Sequence, residues 1–176
     1  MKSLILLLVI ILSPSIYGQT NFNWDKVDSI SKNKNEIYST TKMFISQTWN
    51  SAQDVIQNDD KDAGMILLKG LSVQSLFFQG NNHTWTFSYT VKFLMKDNKY
   101  RIIIENVYCQ SAKCLQYELP HMPVSDNYPT EKGLKLTGVS EQKYLEIMTK
   151  LKQELQFIID NYEKNIETPS NANSDW

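Results

Sequence analysis

The chain has 176 residues, of which 41% are hydrophobic and 21% charged, and its formal net charge is −1 at pH 7. These values are typical of a folded globular protein and exclude a disordered chain, a collagen or a coiled coil. Nucleic-acid-binding proteins contact phosphates through an excess of Lys and Arg, which a nearly neutral chain lacks. We therefore expect no nucleic-acid partner.

The N-terminal segment has the three-part pattern of a secretory signal peptide. Lys2 gives a positive start, Leu4 to Leu12 is an unbroken apolar run, and Ser13-Pro14-Ser15 ends it. An apolar helix of this length is about 14 Å long, roughly half of a hydrocarbon core, so no stable transmembrane segment is expected in the mature chain. We expect cleavage between Gly18 and Gln19 and export through the inner membrane, to the periplasm or the extracellular space. An uncleaved membrane anchor is the alternative.

The remaining length predicts one folded domain. We assign residues 1–18 to the signal peptide, residues 19–166 to a single α+β domain and residues 167–176 to a mobile C-terminal tail. The tail is polar and has no hydrophobic periodicity, which is typical of a flexible terminus.

Two helices are predicted from capping residues and apolar periodicity. Asn33 stands three residues before Glu36, which is the spacing of a capping box. Apolar residues follow at steps of three and four and predict a helix over 34–50, with Trp49 as the anchor of its buried face. Ser140 is the candidate N-cap of a second helix of about 25 residues with an apolar stripe.

Five strands are predicted between and before these helices. A short strand over 22–30 precedes the first helix, and segments 53–59 and 65–75 form a hairpin around an acidic turn that ends at Gly64. Residues 84–96 alternate between apolar and polar side chains, which indicates a half-buried strand. Asp97-Asn98 then forms a two-residue turn into a returning strand.

This last turn sets the register of the two strands that it joins. Lys96 lies opposite Lys99, and counting back along the strands places Phe87 opposite Tyr108. The large apolar residues then share one face. The other face is mostly polar, includes Cys109, and is the candidate partner-binding surface, with Thr86, Thr90, Lys92 and Arg101 as its binding residues.

Several stretches between residues 35 and 110 resemble a secreted bacterial domain of unknown function that is described as having a TATA-binding-protein-like (TBP-like) fold. They are Tyr38–Trp49, Ser51–Gln57, Asp60–Gly64, Lys69-Gly70 and the hairpin Thr90–Arg101. The resemblance implies an α+β fold with a curved antiparallel sheet of about five strands and two helices on one face, in the order β-α-β-β-β-β-α. It implies no catalytic residues, and the name of a fold implies no DNA binding.

Cys109 and Cys114 are the candidates for a local disulfide, because an exported chain meets an oxidising environment. Unpaired thiols or a redox pair are the alternatives. Zinc binding by both cysteines with His121 and His83, or a Cys114–His121 nucleophile pair, lacks the standard spacing or signature. A calcium loop from Asp60 would need Glu at its twelfth position, where Leu71 stands. We therefore assign no catalytic residue, no metal ligand and no cofactor.

These observations predict an exported, non-catalytic binding or structural module of the bacterial envelope. The expected partner is an unknown protein or envelope component, and we do not expect an enzyme. The alternative is a small periplasmic enzyme that uses the loop region 109–131, whose proline-containing segment carries both Cys114 and His121.

Overall fold

A computed structural model describes residues 22–110, 122–124 and 139–168 of the chain. The predicted cleavage site at Gly18 and Gln19 lies outside the described residues. The same is true of Cys114 and His121, so the predictions that depend on them stay predictions.

The described residues form one antiparallel sheet with two long helices. The elements are β1 (Trp24–Ser29), α1 (Lys34–Thr48), α2 (Ala52–Val55), β2 (Ile56–Asp60), β3 (Met65–Phe78), β4 (Asn81–Lys96), β5 (Lys99–Cys109), β6 (Met122–Pro123) and α3 (Glu141–Glu167). The strand order is β1-β5-β4-β3-β2, and the short β6 pairs with β5. The predicted α+β class and the order β-α-β-β-β-β-α are confirmed, with α2 and β6 as short additions.

Both long helices begin at the predicted caps. The Asn33 side chain accepts a hydrogen bond from the Glu36 backbone N–H, and the Glu36 carboxylate accepts one from the Asn33 N–H. The Ser140 hydroxyl accepts from the Lys143 N–H. Helix α1 ends at Thr48, so Trp49 is the half-buried C-cap and not the centre of the buried face.

The core lies between the helices and one face of the sheet, which we call the inner face. All the large residues that alternate along β4 are buried there, as predicted: Trp85, Phe87, Tyr89, Val91, Phe93 and Met95. The ring of Tyr162 in α3 lies 5.2 Å from that of Phe44 in α1 and 4.8 Å from that of Phe93, between ring centroids. Both helices and the sheet therefore share a single aromatic core.

The predicted pairing of β4 with β5 is correct near the turn and wrong further along. Lys96 does lie opposite Lys99, but Phe87 lies opposite Cys109 and not Tyr108, because the register shifts between Ser88 and Thr90.

The shift is a β-bulge in β5 at Asn106, whose φ is 55°. A bulge adds one residue to one strand, and every side chain beyond it changes face. Val107 and Cys109 therefore lie in the core and not on the polar face where the uninterrupted register placed them. Tyr108 takes the opposite face.

Three chain turns meet at one end of the sheet. The Asp97 carboxylate accepts a hydrogen bond of 2.7 Å from the Lys34 backbone N–H at the start of α1. The Asn98 N–H donates to the Lys32 carbonyl, and the Met95 N–H donates to the Gly64 carbonyl. The Lys32 ammonium also donates to the carbonyl oxygens of Ile166 and Thr168, so the C-terminal end of α3 is fixed at this end of the sheet.

Candidate binding surface on the outer sheet face

The candidate site is the sheet face opposite the two long helices, which we call the outer face. All four predicted binding residues lie on it. Thr86 and Lys92 are half-buried and Arg101 is exposed, whereas Thr90 is only 9% exposed. Thr86, Lys92 and Arg101 are therefore available to a partner, and Thr90 is largely covered by its neighbours.

Two cations of this face, Lys92 and Arg101, are paired with carboxylates of the same face. The Arg101 guanidinium donates to both carboxylate oxygens of Asp25, at 2.7 and 2.5 Å, and the Lys92 ammonium pairs with Glu105. The hydrogen bond from Arg101 lowers the pKa of the Asp25 carboxyl. Lys92 and Arg101 are therefore less available to an anionic partner than unpaired cations would be.

A cavity of about 390 Å³ opens on the outer face beside the β5 bulge. Its lining includes Lys69, Ser88, Tyr108 and Gln110. The Gln110 amide donates to the Ser88 hydroxyl at 2.8 Å, which fixes the orientation of both side chains. The cavity offers hydrogen-bonding groups to a small polar side chain of a partner.

An exposed apolar stripe runs along β3 on the same face. Leu71, Val73 and Phe77 are 63%, 60% and 67% exposed, and we call them the apolar stripe. Large apolar side chains that share one face of a strand in this way are a common feature of protein-binding surfaces. None of these three residues was predicted to belong to a binding surface.

The stripe exists because the polarity of β3 is inverted. Its polar residues Ser72 and Gln74 face inward and are buried, while its apolar neighbours face outward. The Glu154 carboxylate of α3 accepts hydrogen bonds from the Ser72 hydroxyl at 2.6 Å and from the Gln74 amide at 2.5 Å. These hydrogen bonds offset the cost of burying the two polar side chains.

The turn between β3 and β4 carries the signal that could have revealed this inversion. Gln79 and Gly80 form a two-residue turn, with φ of 52° and 76°, between the paired residues Phe78 and Asn81. Counting from this turn places Gln74 opposite Trp85, and so on the inner face.

The remaining candidate residues do not form a site within the described residues. Cys109 is fully buried on the inner face, and its pairing with Cys114 stays a prediction. The His83 ring stacks on Phe78 with the ring centroids 3.9 Å apart. In residues 22–110, 122–124 and 139–168, no group of three or more His, Cys, Asp or Glu side chains could hold a metal ion. The enzyme alternative in 109–131 lies mostly outside these ranges.

Residues 24–110 match the model of DUF4468, a domain of unknown function with a TBP-like fold. Through this segment the chain belongs to that family, which confirms the family expected from residues 35–110. None of the curated proteins compared with the chain matches its sequence.

Two solved structures have the same fold. One is a TBP-like protein from Parabacteroides distasonis, with a TM-score of 0.59 and 12% identity over 85% of this chain and 95% of that one. The other is a DUF4468 family protein from Bacteroides ovatus, with a TM-score of 0.57 and 12% identity over 86% of this chain and 89% of that one. At this identity the likeness establishes the fold alone. None of the helices in the described ranges is long and apolar enough to cross a membrane.

Proposed function

We propose that the chain is an exported, non-catalytic binding module that contacts a protein of the bacterial envelope through its outer face. The observation that carries this proposal is that the exposed apolar stripe lies on the same face as hydroxyl-bearing and ion-paired side chains. Protein interfaces combine these parts in the same way, with apolar contacts at the centre and polar contacts at the rim.

Export is supported by the signal-peptide pattern in residues 1–18, with cleavage between Gly18 and Gln19. A bacterial origin fits the two solved structures of the same fold, which both come from bacteria. The periplasm and the extracellular space both fit these observations.

A protein partner fits the outer face better than a polyanionic one. Lys92 and Arg101 are held by Glu105 and Asp25, so a phosphate or nucleic acid that engaged these two residues would have to break existing ion pairs. The stripe at Leu71 and Val73 offers apolar area that a protein side chain can cover. We place the centre of the interface near Thr86, which lies opposite Val73 in the sheet.

The test is site-specific photo-crosslinking in intact cells, followed by mass-spectrometric identification of the adducts. A photoreactive residue at Thr86 should give one dominant protein adduct. The matched control is the same residue at Phe157, which is 62% exposed on α3, and it should give none. Adducts from position 157 without adducts from position 86 would move the interface to the helices and overturn the proposal.

A companion variant checks that the surface and not the fold is responsible. Thr86→Glu with Lys92→Gln changes the outer face without touching the buried core, and we expect unfolding curves close to those of the parent chain. A photoreactive residue at Ser88 should give a protein adduct in the parent chain and no adduct in this double variant. An unchanged adduct would show that these side chains take no part in recognition.

A further inference from the structure

Among the described residues, the edge of β3 beyond its pairing with β2 is long and poorly protected, and we call it the free edge. Strand β2 pairs only with the first part of β3, Met65–Leu68, whereas β3 continues to Phe78 with β4 on its other side. No other strand of the described ranges pairs with the β3 edge over 69–78, about 33 Å of chain. Natural sheets usually cover or charge such an edge. Here Lys69 is the single charged residue of the ten.

The backbone groups that point out of this edge can be identified. The Gln110 N–H donates to the Thr86 carbonyl, so the backbone groups of Thr86 face β5. Its partner on β3 is Val73, whose own N–H and C=O must then point away from β4 toward the free edge. The pattern repeats every second residue, so Leu71, Ser75 and Phe77 also present their N–H and C=O at the edge.

A side-chain contact agrees with this assignment. The Lys150 ammonium approaches the Ser75 carbonyl oxygen at 3.5 Å from the helix side. That carbonyl is therefore open to a donor from outside the sheet. A flexible lysine side chain at this distance can leave when a backbone N–H takes its place.

The residues with free backbone groups also carry the apolar stripe. When the β3 strands of two copies pair antiparallel with Gln74 at the centre, Leu71 of one copy lies opposite Phe77 of the second copy. Val73 then lies opposite Ser75 of the second copy. Every residue whose N–H and C=O point out of the edge then lies opposite a residue of the second copy whose N–H and C=O also point out. The apolar stripes of the two copies lie next to each other on the same side of the joined sheet. Pairing centred on Val73 instead would place Lys69 opposite Phe77. The register centred on Gln74 is thus self-complementary, as a two-fold interface requires. It is favoured over the register centred on Val73 because it keeps Lys69 away from the apolar side chains.

We infer that two copies of this chain associate through their β3 edges as an antiparallel two-fold dimer with Gln74 on the axis. A single strand pair gives an interface at the small end of the known range, below about 1,200 Å², so we expect a weak dimer with a Kd on the order of 10–100 µM. The inference goes beyond the proposed function and does not depend on it, because the outer face stays open in the dimer.

The first test measures the molecular mass and the amide hydrogen exchange of the same sample. The sample is the protein purified as the cell accumulates it. Sedimentation equilibrium should show a monomer at low micromolar concentration and a dimer above about 100 µM. The amides of Leu71, Val73, Ser75 and Phe77 should exchange quickly in the monomer and slowly in the dimer. The amides of Ser72, Gln74 and Leu76, which pair with β4, should be protected at both concentrations. A monomer at every concentration, or a dimer whose edge amides stay unprotected, overturns the inference.

The second test uses charge at the edge. Val73→Lys should raise the dimer Kd at least tenfold, because it sets two ammonium groups close to the two-fold axis. Phe157→Lys is the matched control, since it removes an equally exposed apolar residue from α3, and it should change the Kd less than twofold. Should Val73→Lys fold poorly, Ser75→Lys replaces an already exposed polar residue and should have the same effect. A dimer that keeps its affinity in the folded lysine variants would contradict the assigned edge.

Discussion

Gly70 lies directly beneath the ring of Tyr89. The two residues face each other across β3 and β4, and a Cβ at Gly70 would stand 2.2 Å from the Cζ atom of that ring and 2.5 Å from its hydroxyl oxygen. The missing side chain lets the Tyr89 ring lie flat against the neighbouring strand. Burial raises the pKa of Tyr89 to about 12, and a hydrogen bond with Trp49 acts in the opposite direction.

Gly70→Ala should therefore destabilise the protein through a clash with the ring and not through backbone strain. We expect a loss of about 1–3 kcal/mol in the free energy of unfolding, measured by urea denaturation. In a Tyr89→Leu background the ring is gone, and the same substitution should cost much less. An equal cost in both backgrounds would show that the close approach to Tyr89 does not determine the effect.

The bulge at Asn106 makes a second prediction. A φ of 55° is unfavourable for a β-branched residue and free of strain for glycine. Asn106→Val should lower the free energy of unfolding by about 1–2 kcal/mol, whereas Asn106→Gly should leave it nearly unchanged. Urea midpoints of the two variants give the comparison, and equal midpoints would argue that the bulge is absent in solution.

The contact of Lys32 with the end of α3 can be tested by removing the ammonium. Lys32 donates to the carbonyl oxygens of Ile166 and Thr168 at 2.6 and 2.7 Å, at a helix end that attracts positive charge. Lys32→Met should cost about 1 kcal/mol of stability. Lys164→Met is the control, because Lys164 lies exposed in the same last turn, and it should cost less than about 0.5 kcal/mol. Thermal unfolding of both variants measures the difference, and equal losses would assign the effect to helix charge alone.

The buried tyrosines predict a loss of stability at high pH. The pKa of Tyr89 is raised from 10.0 to about 12 by burial, and burial also raises the pKa of Tyr162. The unfolded chain loses these protons near pH 10, so it binds fewer protons than the folded chain above that pH. The free energy of unfolding should keep its full value below about pH 10 and fall as the pH rises toward 12. Urea denaturation at a series of pH values across this window measures the decline. Tyr89→Phe should weaken the decline, and an unchanged slope would contradict the assignment.

The elements that the sequence predicts well are those with local signals. The capping box at Asn33 and Glu36 depends on residues three positions apart, and α1 begins where it predicts. The alternation along β4 extends over a whole strand, so its buried face could be assigned without knowledge of its neighbours. The turn at Asp97-Asn98 fixed the first half of the pairing with β5 for the same reason.

Two features were not predicted, and they differ in how local their signals are. An uninterrupted register would place Asn106 on the inner face opposite Tyr89, so this polar residue breaks the apolar alternation of β5 and marks the bulge. The polarity of β3 is reversed because Glu154, far along the chain, supplies partners to Ser72 and Gln74. The hydrophobic pattern of residues 71–77 alone favours Leu71 inside and Ser72 outside. The register set by the turn at Gln79-Gly80 and the hydrogen bonds to Glu154 place these residues the other way. All four predicted binding residues lie on the outer face, because Thr86, Thr90 and Lys92 belong to β4, which has no bulge, and Arg101 precedes the bulge in β5. Their role in binding stays a prediction.

The hydrogen bonds of Lys32 to Ile166 and Thr168 also determine where a label can be attached. They hold the last described residues beside the turn at Asn98, at the end of the sheet opposite Gln79 and Gly80. A fluorophore, affinity handle or surface linkage joined after Thr168 would leave from that end. Immobilisation through this point would therefore keep Leu71, Val73 and Phe77 accessible to soluble ligands in a biosensor measurement.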